Sequence, residues 1–177
     1  TDDRVRLMQT GSLTIERGTP ADAAELIDYL RTIGGETENL SFGPDDFPFT
    51  VESEAEYLEK QVDSPDRVLY VARVDGRIVG DASLSRGCRR MSHRGEFGIS
   101  VLRSMWGKGI GTALAEKVLA FARENGFEQL FLEVRSDNAR AIHLYEKLGF
   151  SKLCTYPDYL KQPDGRTVDC DLMYLPL

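Results

Sequence analysis

Trp106-Gly107-Lys108-Gly109-Ile110-Gly111-Thr112 has the residue types and spacing to hold a phosphate. It closes a stretch that begins Glu96-Phe97-Gly98-Ile99-Ser100-Val101 in strand type, and an apolar stripe at helical spacing follows it (Ile110, Leu114, Val118, Phe121). Glycines at every second position leave bare backbone at the start of that helix. The first N–H groups of a helix have no partner inside it, and the macrodipole adds about half a positive charge there, which suits a phosphate or pyrophosphate. Two better-known phosphate loops do not fit. A Walker loop needs Ser or Thr after its lysine, where Gly109 stands. The dinucleotide fingerprint Gly-x-Gly-x-x-Gly/Ala reaches Thr112 when counted from Gly107, and Leu114 when counted from Gly109. A turn that only reverses the chain is the plain alternative, and the cost of glycine at helix starts argues against it.

Gly107 to Gly111 resembles the acetyl-CoA pyrophosphate loop of the GNAT superfamily of N-acetyltransferases, Gln/Arg-x-x-Gly-x-Gly/Ala, aligned on Trp106, Gly109 and Gly111. Trp106 departs from the usual Gln/Arg, a change the loop tolerates because its backbone amides carry most of the phosphate binding. A second segment, Asn138 to Phe150, resembles the family's Asn-x-x-Ala-x-x-Leu-Tyr-x-x-x-Gly-Phe helix almost position for position. The resemblance implies an acetyl-CoA-dependent N-acetyltransferase with a GNAT-like α/β fold. Such a fold has a mixed, mostly antiparallel central sheet flanked by helices, with one parallel strand pair, here in a single domain over 1–177. By the same resemblance Trp106, Gly107, Lys108, Gly109, Ile110, Gly111 and Thr112 hold the cofactor's phosphates. Ile99, Ser100 and Val101 pair with its pantetheine arm like an added strand, and Asn138, Ala141 and Tyr145 line that arm.

Acetyl transfer from a thioester to an amine by direct attack in a ternary complex has three needs. The ammonium must lose a proton, the developing oxyanion needs hydrogen-bond donors, and the departing thiolate is helped by a proton. Asn138 and Tyr145 lie seven residues apart, on one helix face, and the resemblance points Tyr145 at the cofactor sulfur as proton donor. Tyr145 is otherwise a core residue beside Ile142 and Leu148. The oxyanion donor is expected near the Ser100-Val101 backbone. Glu96 is the candidate base, Glu133 on the neighbouring strand its rival, and ordered water the third route. The segment from Glu36 to Thr50 mixes acids with phenylalanines. The resemblance makes it part of the acceptor pocket, with Glu36, Asp45 and Asp46 holding an ammonium and Phe42, Phe47 and Phe49 as wall. Solvated acids over a small apolar cluster are the competing reading.

The chain has 177 residues, 41% hydrophobic and 29% charged, with a net charge of −7. That balance argues against nucleic acid and leans toward a cationic small-molecule amine. A protein N-terminal or lysine amine, and a non-catalytic acyl-CoA-binding module, are the alternatives. No apolar run has the length of a membrane span, and no signal pattern opens the chain, so no membrane partner is expected. Cys88, Cys154 and Cys170 lack metal-ligand spacing and read as free thiols in a reducing cytoplasm. His93 and His143 read as structural and surface residues, with no hydrolase triad around them.

The elements that must position these residues follow in order. A loose start to Ser12 leads to a strand at Leu13-Ile15, then a helix capped at Thr19 and stopped by Gly34-Gly35. A second helix over Ser53–Val62 has Ser53-x-x-Glu56 as capping box. Strands at 68–72 and 78–84 flank an Asp75-Gly76 hairpin turn. The arginines of 86–94 read as a solvated tip. Asn125-Gly126 ends the helix after the glycine loop, and a buried strand at 130–134 runs parallel to the strand before that loop. A final hairpin turns at Pro163-Asp164-Gly165 and offers a surface for a homodimer.

Overall fold

A computed structural model of the chain describes residues 12–46 and 48–177. The expected loose start before Ser12 and the role given to Phe47 lie outside the described residues. The elements in order are β1 (Leu13–Arg17), a 3-10 turn (Pro20–Asp22), α1 (Ala23–Glu36), α2 (Val51–Glu59), β2 (Arg67–Val74) and β3 (Arg77–Arg86). They continue with β4 (Arg94–Val101), α3 (Ile110–Glu124), β5 (Gln129–Arg135), α4 (Ala139–Lys147), β6 (Ser151–Lys161) and β7 (Thr167–Pro176). The strands form one seven-stranded sheet in the order β1-β2-β3-β4-β5-β7-β6, antiparallel except for β4 beside β5. This is the mixed, mostly antiparallel α/β arrangement that the sequence resemblance implies.

The two faces of the sheet carry separate cores. On one, α3 packs Leu114, Val118, Phe121 and Ala122 against Leu84, Phe97, Leu130 and Leu132, with Tyr145 and Phe150 closing the cluster. On the other, Leu26, Tyr29 and Ile33 of α1 and Leu58 of α2 cover Leu69, Val71 and Ile78. Alternation along β4 divides the same way, with Phe97 buried on the α3 side and Ser100 bonded to α1 on the other.

Three local expectations are corrected. Gly34-Gly35 do not stop α1, which runs on to Glu36. A Cβ at Gly34 would stand 2.8 Å from the carbonyl carbon of Gly43, so this glycine gives room for the following loop rather than ending the helix. The second helix starts earlier than Ser53: Thr50 is its cap, with Ser53 N–H donating to Thr50 Oγ1 at 3.1 Å and Thr50 N–H to Ser53 Oγ at 3.0 Å. The arginines of 86–94 do not all face solvent. Arg86 donates to Asp66 and to the carbonyls of Ser92 and Asn125 and lies 3.8 Å from the Phe127 ring centroid, and Arg94 covers Phe131. Only Arg89 and Arg90 match a solvated tip.

Candidate active site

β4 and β5 are paired only from Arg94↔Gln129 to Glu96↔Phe131, yet β4 continues to Val101 and β5 to Arg135. Beyond Glu96 the two strands have parted, and the β4 edge facing β5 has no ladder partner among the described residues. Two cavities open into this wedge, one over the glycine loop and one over β3, β4 and β5.

The first cavity is bordered by Trp106, Gly107, Gly109, Gly111 and Thr112, by Ile99, Ser100 and Val101 of β4, and by Asn138, Ala141 and Tyr145. Gly107 and Gly109 take positive φ of 75° and 80°, and Gly109 caps α3. Among the described residues, the N–H groups from Gly107 to Thr112 donate no hydrogen bond. Bare amides at a helix start, beside an open strand edge, fit a pyrophosphate followed by a strand-like amide arm, which are the parts of acetyl-CoA. Trp106 secures the loop by donating its indole N–H to the Val101 carbonyl at 2.8 Å, and its ring carries the Arg140 guanidinium 4.4 Å from the centroid. Two side chains expected at the cofactor turn away from the first cavity. The Ile110 side chain is 1% exposed in the core, and the Lys108 ammonium reaches Met105 Sδ at 3.6 Å.

Asn138 caps α4, its Oδ1 accepting from Ala141 N–H at 3.2 Å. Tyr145, two turns on, is buried with its ring edge-on to Phe97 at 6.1 Å between centroids. Burial pushes its hydroxyl pKa up, so it stays protonated at neutral pH. Both residues border both cavities.

The second cavity gathers Asp81, Glu96 and Glu133 with Phe42, Ser100 and Tyr159. Tyr159 of β6 donates its hydroxyl to Glu133 Oε2, and that bond pushes the phenol up to about 12. The other acids expected here lie elsewhere. Glu36 borders the first cavity and accepts the Arg103 N–H at 2.8 Å; Asp45 is exposed and borders neither; Asp46 accepts the Gly43 N–H at 2.6 Å. Phe49 is exposed. Arg135, 7% exposed, ties the 36–50 segment to β5 through the Glu38 carbonyl at 2.7 Å and is itself held by Asp137.

Sequence reasoning missed Asp81, Tyr29, Arg140 and Tyr159. Asp81 faces Ser100 across the β3–β4 ladder, and Ser100 Oγ donates to it. Asp81 lies beyond a register shift at Ala72/Arg73, so the Asp75-Gly76 turn alone would have paired it one residue off. Nothing local marks Tyr29 or Tyr159. The described cysteines are all free, Cys88 and Cys154 exposed and Cys170 buried, and no group of His, Cys, Asp or Glu among the described residues is arranged to hold a metal. No helix among the described residues is long and apolar enough to cross a membrane.

Comparison with known proteins agrees with this geometry. The [Ribosomal protein bS18]-alanine N-acetyltransferase of Escherichia coli K12 is 40% identical over 81 residues, 46% of this chain and 54% of that protein. The streptothricin acetyltransferase of Streptomyces lavendulae is 35% identical over 105 residues, 59% of this chain and 55% of that protein. The chain thus spans about half the length of the curated relatives it matches. A crystal structure of a GNAT-family acetyltransferase from Streptococcus pneumoniae superposes with a TM-score of 0.90 at 29% identity, covering 94% of this chain and 100% of that one. Other structures of this fold hold acetyl-CoA, the cosubstrate of the family. The family model described as "Acetyltransferase (GNAT) family" matches residues 36–150, which span the glycine loop, most of the lining of both cavities and the Asn138–Phe150 segment, and the chain belongs to that family.

Proposed function

We propose that this chain moves the acetyl group of acetyl-CoA to the primary amine of a small cationic molecule, with both substrates bound together. The observation that carries this reading is the junction of the cavities. Ile99, Ser100, Asn138, Ala141 and Tyr145 border both, while the carboxylates of Asp81, Glu96 and Glu133 border only the second. One substrate over the glycine loop and a cation among the carboxylates would meet at Ser100 and Tyr145.

Acetyl-CoA, when bound, supplies an activated acyl carbon and a thiolate leaving group. The amides from Gly107 to Thr112 hold its pyrophosphate, and the open edge of β4 orients its arm. Tyr145, kept neutral by burial, holds the proton that the sulfur takes. Glu96 and Glu133 attract the ammonium, and Tyr159 fixes the Glu133 carboxylate in place.

An N-terminal amine of a protein is the second reading. The likeness to the E. coli enzyme, whose name specifies the alanine of a ribosomal protein, favours it. The test is coenzyme A release, followed with a thiol reagent, across polyamines, amino acids, aminoglycosides and peptides with a free N-terminus. Each is read against an enzyme blank, because Cys88 and Cys154 are exposed. Saturable release with a small di- or polyamine is expected. Release with the peptides alone moves the assignment to the second reading. Tight acetyl-CoA binding with no release from any acceptor points to a non-catalytic module.

A further inference from the structure

We propose that Asp81 is the terminal acceptor of the amine's proton, reached through the Ser100 hydroxyl, with Tyr29 holding that relay in place. The proposal rests on the acetyl-transfer reading above.

Ser100 and Asp81 are register partners on β4 and β3, and Ser100 Oγ donates to Asp81 Oδ1. Tyr29 reaches across from α1, its hydroxyl 2.8 Å from Ser100 Oγ and 3.5 Å from Asp81 Oδ1. A serine hydroxyl has one proton to give and two lone pairs to receive. Here the proton goes to Asp81 and one lone pair takes the Tyr29 O–H. One lone pair is left, on the residue that borders both cavities. An ammonium held among the carboxylates of the second cavity can donate an N–H to that lone pair.

The proton transfer balances within these groups. The ammonium N–H bond breaks as its proton forms a new O–H bond on Ser100 Oγ. The hydrogen already on Ser100 passes to Asp81 Oδ1, leaving a free amine, a restored serine and a neutral carboxylic acid. Tyr29 is a positioning residue: it is 4% exposed and its hydroxyl pKa is pushed up by burial, so it stays a donor.

The surroundings make the acid a usable base. Burial pushes Asp81 up to about 6, against the opposing hydrogen bond from Ser100 and the nearby Tyr29 hydroxyl, and the charge of Glu54 on α2 adds to the rise. Glu96 of β4 and Glu133 of β5 share its cavity, and Glu36 at the end of α1 acts on Tyr29. An acid poised just below neutral pH is ionised at pH 7 and still basic enough to take a proton.

The experiment is the pH profile of kcat/KM for the best amine. The wild-type profile should rise through about pH 6 and level off. Asp81→Asn should lower the value about 100-fold or more at pH 7. Its remaining rate should climb about tenfold per pH unit toward the amine's own pKa near 10, because only spontaneously neutral amine then reacts. Ser100→Ala should change the profile in the same way and keeps the test open if Asp81→Asn does not fold. A wild-type-shaped profile in either folded variant, whatever the drop in rate, overturns the relay and leaves acetyl transfer standing. Loss of the pH 6 limb in Glu96→Gln or Glu133→Gln, with Asp81→Asn retaining it, reassigns the base. A wild-type enzyme that acetylates no amine defeats the acetyl-transfer reading and the relay with it.

Discussion

The Trp106 indole N–H donates to the Val101 carbonyl at 2.8 Å, joining the first residue of the glycine loop to the last residue of β4. Its ring also seats the Arg140 guanidinium, 4.4 Å from the centroid, at the rim of the first cavity. The residue that departs from the family pattern thus does two positional jobs that a Gln or Arg would do differently.

Trp106→Phe keeps the ring and removes the N–H. Losing one such bond costs about 1 kcal/mol, so acetyl-CoA affinity should fall about fivefold. Trp106→Ala also unseats Arg140 and should cost a further several-fold. Calorimetric titration with acetyl-CoA reads both, and wild-type affinity in Trp106→Ala would remove the tryptophan from the cofactor site.

Adjacent glycines in α1 should respond in opposite directions. At Gly34 a Cβ would meet the Gly43 carbonyl carbon at 2.8 Å and its oxygen at 2.9 Å, backbone atoms that cannot swing aside. At Gly35 the nearest atom is Pro44 Cβ at 3.9 Å, ordinary contact. Gly35→Ala should stabilise by about 0.5–1 kcal/mol through helix propensity, raising Tm by about 1–4 °C. Gly34→Ala should destabilise by about 1–3 kcal/mol and disturb the 36–50 loop. Thermal melts of the two variants decide it, and equal shifts would mean that the loop does not lean on this helix.

That contrast also shows what the sequence could and could not convey. The strand, glycine turn and helix of 96–124 and the helix that carries Tyr145 are legible because each rests on spacing within one turn or one helix, where chain geometry alone fixes the neighbours; Asn138, expected on that helix's face, stands instead at its cap. The pair Gly34-Gly35 reads as a helix stop by local propensity, and a tertiary contact with Gly43 outweighs that propensity. Asp81, Ser100 and Tyr29 converge from β3, β4 and α1, and no periodicity connects them. Glu36 and Asp45 had the right charge and segment for an acceptor pocket. The path of the loop turned Glu36 to the Arg103 amide and left Asp45 exposed.

Tyr145→Phe should separate chemistry from binding. The hydroxyl makes no hydrogen bond among the described residues and borders both cavities, while the ring packs on Phe97 and Phe150. Removing one oxygen should leave the fold and acetyl-CoA affinity intact and lower kcat by about 100-fold, a typical share for a general acid. Unchanged turnover would make Tyr145 a packing residue and move proton donation to water.

Asp171, buried, and Asp81, half-buried, should shape stability against pH in opposite senses. Asp171, 4% exposed, is penalised by burial, but accepts from Thr155 and Ser136 at 2.7 Å each and from Lys152 at 3.2 Å, and the bonds outweigh burial to hold its pKa below the usual value. A carboxylate with a depressed folded pKa stabilises the fold above its unfolded value of about 4, and that stability is lost as pH falls through the folded value. Asp171→Ala, which strands two hydroxyls and a lysine, should therefore destabilise at pH 7 by about 1–3 kcal/mol and much less at the acid limit. Asp81 runs the other way. Its rise from 3.8 to about 6 means that the folded chain holds this proton more tightly than the unfolded one, a difference of roughly 3 kcal/mol. As pH falls from 7 to 4, Asp81 should add stability, and Asp81→Asn should abolish that gain while leaving the acid-side loss from Asp171 in place. Denaturant unfolding of the wild type, Asp171→Ala and Asp81→Asn from about pH 2 to 7 measures both slopes, the Asp81 slope above pH 4 and the Asp171 slope below it. A wild-type chain whose pH slope is unaltered by Asp81→Asn would show that Asp81 carries no stored cost, and with it would go the case for its being poised as a base.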